Sequence, residues 1–111
     1  MTESELNSIE TALGLSLPEF YRQAAIDGLL TRVLNSNAQS VVAINGAFRN
    51  GEFGDGDWPA HLFAFGDDGA GNFYCLDVSG DSEEVLLRDH ETLEIAAEAD
   101  SFLQWIDVVE V

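Results

Sequence analysis

Apolar residues recur along this chain in two rhythms, first helical and then strand-like. Leu6, Ile9 and Leu13 fall on one face at helical spacing, and Thr2 with Glu5 ahead of them fits a capping box. Gly14 is placed to stop that helix. A second start follows at once. Ser16 is its candidate cap, Glu19 the residue that reaches back, and Pro18 is tolerated in a first turn. Phe20, Tyr21, Ala24 and Ala25 supply an apolar face, and Gly28 ends it. Residues 2–28 are therefore expected to form two short helices with a tight junction.

The middle is less regular. Leu29–Leu34 suits a short strand or a helical turn, and Asn35–Ser40 a polar loop. Val41–Ile44 is rich in β-branched residues and is expected to be a strand. Asn45–Pro59 is dense in Gly, Asp and Asn and is expected to be a long loop. Phe48, Phe53 and Trp58 would tether it. Phe53 or Trp58 could instead stand exposed as an anchor for a partner, since aromatic residues dominate binding hot spots.

The clearest pattern is LFAFGDDGAGNFYCLD, Leu62–Asp77. Two apolar runs, Leu62–Phe65 and Phe73–Leu76, flank a turn built from Gly, Asp and Asn. Aromatic residues favour strands and the turn residues favour positive φ, so the segment predicts a β-hairpin. Alternation puts Phe63 with Phe65 on one face of their strand, and Phe73 with Cys75 on one face of theirs. Ser79–Ser82 is a further turn, and Glu83–Arg88 a third strand. Asp89–Asp100 leads into a final helix. Ser101 and Gln104 fit a capping box there, and Phe102, Leu103, Trp105, Ile106 and Val109 supply its buried face. Helices, then strands, then a helix make an α+β domain: a central antiparallel β-sheet with two N-terminal helices and one C-terminal helix. The 111 residues suffice for one domain, 1–111.

Charge changes the functional picture. Four basic residues, all arginine, face 21 acidic ones, for a net charge of −17. Small domains usually carry about 2–8 in magnitude, so the excess opposes folding through self-repulsion. It argues against direct nucleic-acid binding, which needs clustered Lys or Arg, and makes a basic protein the natural partner. Solubility or adaptation to a salty interior is the simpler account of the same charge. No apolar run approaches the roughly 18 residues of a spanning helix, and the acidic, polar start is unlike a secretory signal. The chain is therefore expected to be cytoplasmic, away from membranes. Cys75 is the single cysteine, so no internal disulfide is available.

Candidate chemistry is sparse. Asp67-Asp68-Gly-Ala-Gly-Asn72 lacks the spaced ligands of a calcium loop, and its carboxylates would repel phosphate. His90, between Asp89 and Glu91, would suit a metal or a general base, but a polar residue at a strand end explains it more simply. Cys75 in an apolar strand reads as a small core side chain. No catalytic residues, metal ligands or cofactors are expected. The acidic residues of the β segment fall instead in turns or at strand ends: Asp55, Asp57, Asp67, Asp68, Asp81, Glu83 and Glu84. Hairpin geometry gathers such turns at one or both ends of a sheet. These residues, with Trp58 as an anchor, are the expected partner-binding surface.

Three stretches together resemble the SUKH superfamily in its SMI/KNR-type branch. Leu17-Pro18-Glu19-Phe20-Tyr21 with Asp27-Gly28 resembles the family's "LP-x-x-Y" helix, with Asp27 at the position of the usual asparagine. Phe65–Asp77 resembles its central hairpin. Asp89-His90-Glu91 and Asp100–Ile106 resemble its histidine-containing strand end and C-terminal helix. The resemblance implies an α+β domain without enzymatic activity. Many bacterial members are thought to be immunity proteins that neutralise toxins, often nucleases; fungal relatives are scaffolding regulators. Joined to the acidic charge and the polar start read above, the resemblance points to a cytoplasmic binding protein for a cationic toxin domain, with an intracellular scaffold or regulatory module as the alternative.

Overall fold

The computed structural model describes residues 1–30, 37–54 and 58–109. The expected first cap is present: Glu5 N–H donates to Thr2 Oγ1 at 3.1 Å, and Thr2 N–H to the Glu5 carboxylate at 2.9 Å. They start α1 (Glu3–Leu13), which buries Leu6, Ile9 and Leu13. Gly14 ends it in the left-handed region at φ 66°, where a side chain would be strained. Helix α2 (Glu19–Ile26) is capped differently from the sequence expectation. Pro18, not Ser16, is its N-cap, and it has no side-chain cap bond. Glu10 holds the elbow instead: its carboxylate accepts from Leu17 N–H at 2.7 Å and pairs with Arg22 at 3.0 Å.

The sheet is a meander of β1 (Leu62–Asp67), β2 (Phe73–Asp77), β3 (Val85–Arg88) and β4 (Ile95–Ala99), antiparallel and in sequence order. The hairpin pairs Phe63 with Leu76 and Ala64 with Cys75, and a bulge lies between Ala64 and Gly66. The third expected strand is shorter than Glu83–Arg88 and starts at Val85. The fourth lies inside Asp89–Asp100, where none was expected. The final helix, α4 (Phe102–Val109), starts at Ser101, whose hydroxyl accepts from Gln104 N–H at 3.2 Å. Phe102, Trp105 and Ile106 are buried, but Leu103 is 62% exposed: it lies about 100° around the helix from Phe102.

One larger correction falls in the middle. Val41–Ile44 is not a strand, and Asn45–Arg49 is not loop. Both belong to α3 (Ala38–Arg49), a helix beyond the three expected. Asn37 and Ser40 form its capping box, with Asn37 Oδ1 accepting from Ser40 N–H at 2.9 Å. The cap and the helical spacing of Val41, Asn45 and Phe48 outweigh the β preference of a few branched side chains. Most of Leu29–Leu34 lies outside the described residues.

Alternation along the strands splits the interior in two. Phe63, Phe65, Leu76 and Val85 face α1, α2 and α4 and join Leu6, Ile9, Tyr21, Phe102 and Trp105 in the main core. Leu62, Ala64 and Cys75 face the other way and meet Phe48 and Trp58, with Phe73 packed alongside. The expected face-sharing of Phe63 with Phe65 and of Phe73 with Cys75 is therefore observed. Tyr21 sits edge-on to Phe63 at 5.2 Å between ring centroids. Its buried hydroxyl finds no hydrogen-bond partner among the described residues, and burial pushes the phenol well above its usual pKa. An unbonded buried hydroxyl costs about 1–3 kcal/mol. Tyr21→Phe should therefore raise stability in a urea melt by about 1 kcal/mol or more. A loss of that size would mean that the hydroxyl is bonded after all.

The two outer strands differ. β1 is the edge beside α3, and Asn45, with no exposed surface, reaches it. Its Oδ1 accepts from Ala64 N–H at 2.9 Å, and its Nδ2 donates to Ala64 O at 2.7 Å and to Val41 O at 2.9 Å. One side-chain amide thus pairs with β1 as a neighbouring strand would.

Candidate protein-binding surface

Antiparallel order fixes where the acidic turns lie. The β1–β2 and β3–β4 turns share one end of the sheet, and the β2–β3 turn lies at the other. Asp67 and Asp68 are at the first end; Asp81, Glu83 and Glu84 are at the second. A strand the length of β2 keeps these ends about 15 Å apart. The expected surface is thus two acidic patches. Asp55 and Asp57 lie outside the described residues.

At the first end, carboxylates build the turns. Asp68 accepts from Ala70 N–H at 2.8 Å, from Asn72 N–H at 3.2 Å and from Asn72 Nδ2 at 2.9 Å. Asp67 accepts from Gly69 N–H at 2.9 Å. Partial burial works against the Asp68 charge, but the bonds from Asn72 and Ala70 outweigh it and hold its pKa below the usual carboxylate range. Asp89 accepts from Thr92 N–H at 3.0 Å and from Glu91 N–H at 2.7 Å, and these bonds lower its pKa too. A carboxylate lowered in this way supports the fold above its ordinary pKa and loses that support as pH falls through the lowered value.

The two turns also touch. Asn72 Oδ1 accepts from His90 N–H at 2.9 Å and faces His90 Nδ1 at 2.8 Å. Gly71, at φ 96°, lies under the His90 ring, and a Cβ there would come within 3.3 Å of its Cγ. His90 thus clamps one turn to the next. Asp89, Glu91 and Glu94, which are not among the residues of the expected surface, join Asp67 and Asp68 at this end. Their signal was the turn pattern Asp89-His90-Glu91-Thr92, legible once a strand follows it.

At the second end, Asp77 accepts from Ser79 Oγ at 2.6 Å and from Ser79 N–H at 2.9 Å, which hold its pKa low. His61 stands 3.8 Å from it. Asp81 and Glu83 are exposed and Glu84 is half-buried. A cleft of about 330 Å³ opens beside them, lined by Pro18, Glu19 and Phe20 as well as Gly80, Asp81 and Glu83.

Trp58 does not serve as an exposed anchor. It is 8% exposed, stacks on Phe48 at 4.1 Å, and donates its indole N–H to Leu62 O at 3.2 Å. A ring with its polar edge bonded to β1 is a tether. Phe53 keeps more surface, at 37% exposed, and packs on Phe48 at 4.7 Å.

The described arginines are all drawn inward. Arg22 pairs with Glu10, and Arg49 donates to the carbonyls of Leu13 and Ala60. Arg88 is 3% exposed; it donates to Phe53 O at 3.2 Å and lies over the Phe48 ring at 5.0 Å. Carboxylates therefore dominate the charged surface. Among the described residues no group of three or more His, Cys, Asp or Glu is placed to hold a metal ion, and no helix is long and apolar enough to cross a membrane.

No curated protein and no solved structure matches this chain. The sequence model of one family matches residues 1–108. It covers both N-terminal helices, the whole meander and nearly all of α4, in agreement with the motifs at Leu17–Tyr21, Phe65–Asp77 and Asp100–Ile106. The chain belongs to the SMI1 / KNR4 family (SUKH-1), a family associated with immunity proteins of toxin systems.

Proposed function

We propose that this protein is an immunity protein: a non-enzymatic binder that neutralises a cationic toxin domain by stoichiometric association. The observation that carries the reading is the division of charge. The described arginines bond within the fold, while Asp67, Asp68, Asp81, Glu83, Glu84 and their neighbours face outward at the two ends of the sheet. Outward charge of one sign opposes folding but steers an oppositely charged partner and speeds encounter. A nuclease domain suits such a surface, because the groove that holds phosphates must be basic. Family membership supports the same reading. The protein would act in the compartment where its toxin acts, the cytoplasm.

The test separates carboxylates that build turns from those that do not. Asp68→Lys would remove three hydrogen bonds and unsettle the hairpin. The side chains of Asp81, Glu83 and Glu84 make no such bonds among the described residues. Asp81→Lys, Glu83→Lys and Glu84→Lys together should lower the stability read from a urea melt by no more than about 0.5 kcal/mol, since Asp81 and Glu83 are exposed, Glu84 is half-buried, and the reversals relieve self-repulsion. The same variant should weaken binding to a toxin domain encoded beside it and lower protection of cells that express that toxin. Association of the parent should slow as salt rises, since the Debye length falls from about 10 Å at 0.1 M to about 3 Å at 1 M. Full protection by the triple variant, joined to a salt-independent rate, would sink the reading.

A further inference from the structure

The two edges of the sheet are finished in opposite ways. The β1 edge is filled by the Asn45 amide, which occupies both hydrogen-bonding groups of Ala64. The β4 edge has no such cover. No hydrogen bond joins Ile95–Ala99 to any described residue outside β3. Ile95–Glu98 are exposed, Ala99 is half-buried, and β4 stands clear of both packed clusters for most of its length. Ala96, Ala97 and Ala99 keep the outward backbone within reach of another chain. Ile95, 38% exposed, and Leu93, 37% exposed, give the strand an apolar start.

An uncovered edge is a template for pairing, and proteins usually blunt it. Here the blunting is selective. Glu94 precedes the strand and Glu98 lies within it, Glu91 and Asp100 lie just beyond, and no basic residue occurs from Glu91 to Val109. The register shift opposite Val85 and Leu86 leaves Glu98 as the extra residue of a bulge. A second copy laid along β4 would set these carboxylates against their own kind, on top of a net charge of −17. A strand carrying Lys or Arg would find the same carboxylates complementary. We propose that the open edge of β4 receives an extended, Lys- or Arg-rich segment of a partner protein as a fifth strand. Backbone hydrogen bonds would supply affinity, and the glutamates would select charge. This inference rests on the basic-partner reading above and adds the place and mode of contact.

A synthetic peptide alternating Lys and Val, acetylated at its start, is the probe, used on the intact chain at low salt. Its control is the same peptide with every backbone nitrogen methylated, which keeps the side-chain charge and removes the donors on both edges. The unmodified peptide should slow amide exchange at Ile95–Ala99, and the methylated one should bind about tenfold or more weakly. Equal affinity for the two peptides, or protection confined to other residues, would overturn strand addition and leave the basic-partner reading standing. Should neither peptide bind, strand addition falls as well, and the triple charge reversal judges the basic partner separately. Light scattering gives a further check: a dimer whose formation protects the β4 amides would assign the edge to a second copy and overturn the proposal.

Discussion

Asn45→Leu should cost this protein about 2–5 kcal/mol in a urea melt, despite the near match in size. The amide is fully buried, and three hydrogen bonds end on it. Leucine would leave Ala64 N–H and C=O unbonded against an apolar side chain, and each orphaned buried group costs about 1–3 kcal/mol. Asn45→Asp is the sharper case, because its pH dependence has a definite sign. The oxygen that replaces Nδ2 would face the carbonyls of Val41 and Ala64, so the buried carboxyl is driven to stay protonated and its folded pKa rises above the unfolded value. The folded state then binds more protons than the unfolded one above about pH 4, and stability falls as pH rises. The slope should approach about 1.4 kcal/mol per pH unit until the folded pKa is passed, beyond which it flattens. The parent should show no such added slope. A flat difference between parent and aspartate variant from pH 4 to pH 7 would mean that water reaches the site.

Phe102→Ala should cost about 3–5 kcal/mol, the usual loss for a fully buried ring. Phe102 has no exposed surface and is the ring on which three elements meet. It lies 5.3 Å from Phe20 and 6.1 Å from Tyr21 on α2, 5.7 Å from Phe65 on β1, and 5.6 Å from Trp105 one turn on. Truncation would open a cavity between helices and sheet and loosen the hold of α4. Phe102→Leu keeps most of the volume and should cost distinctly less. A loss below about 1 kcal/mol for the alanine variant would contradict the packing described for this helix.

The parts of the fold that could be read from sequence are those where several local signals agree. In Leu62–Asp77 the aromatic runs and the glycine-rich turn agree, and the hairpin follows. Thr2, Glu5 and Gly14 bound α1 for the same reason. Helix α3 was hidden by its own key residue. Val41, Asn45 and Phe48 keep helical spacing on a buried face, but a polar side chain at the middle position erases the apolar stripe. The Asn37–Ser40 cap was the remaining clue. Strand β4 was hidden by composition, since Ala and Glu favour helix and the pairing with β3 overrides that preference. Twelve residues without structure between β3 and α4 would have been a long gap for so small a domain, and that was a usable warning. The acidic turns were visible, but their division between two ends requires the strand count. Trp58 was visible as an aromatic in a polar stretch, and only the stack on Phe48 decides that it faces inward.

The placement of the two indoles has a practical consequence. Trp58 and Trp105 are the only tryptophans, and they lie in different clusters on opposite faces of one sheet. Each therefore emits from its own packed layer. With Trp58→Phe the remaining fluorescence comes from the helical layer around α4, and with Trp105→Phe it comes from the layer under α3. Two single-indole variants thus turn an ordinary emission melt into separate readings of the two sides, and coincidence of the two curves would show that the layers come apart in one step.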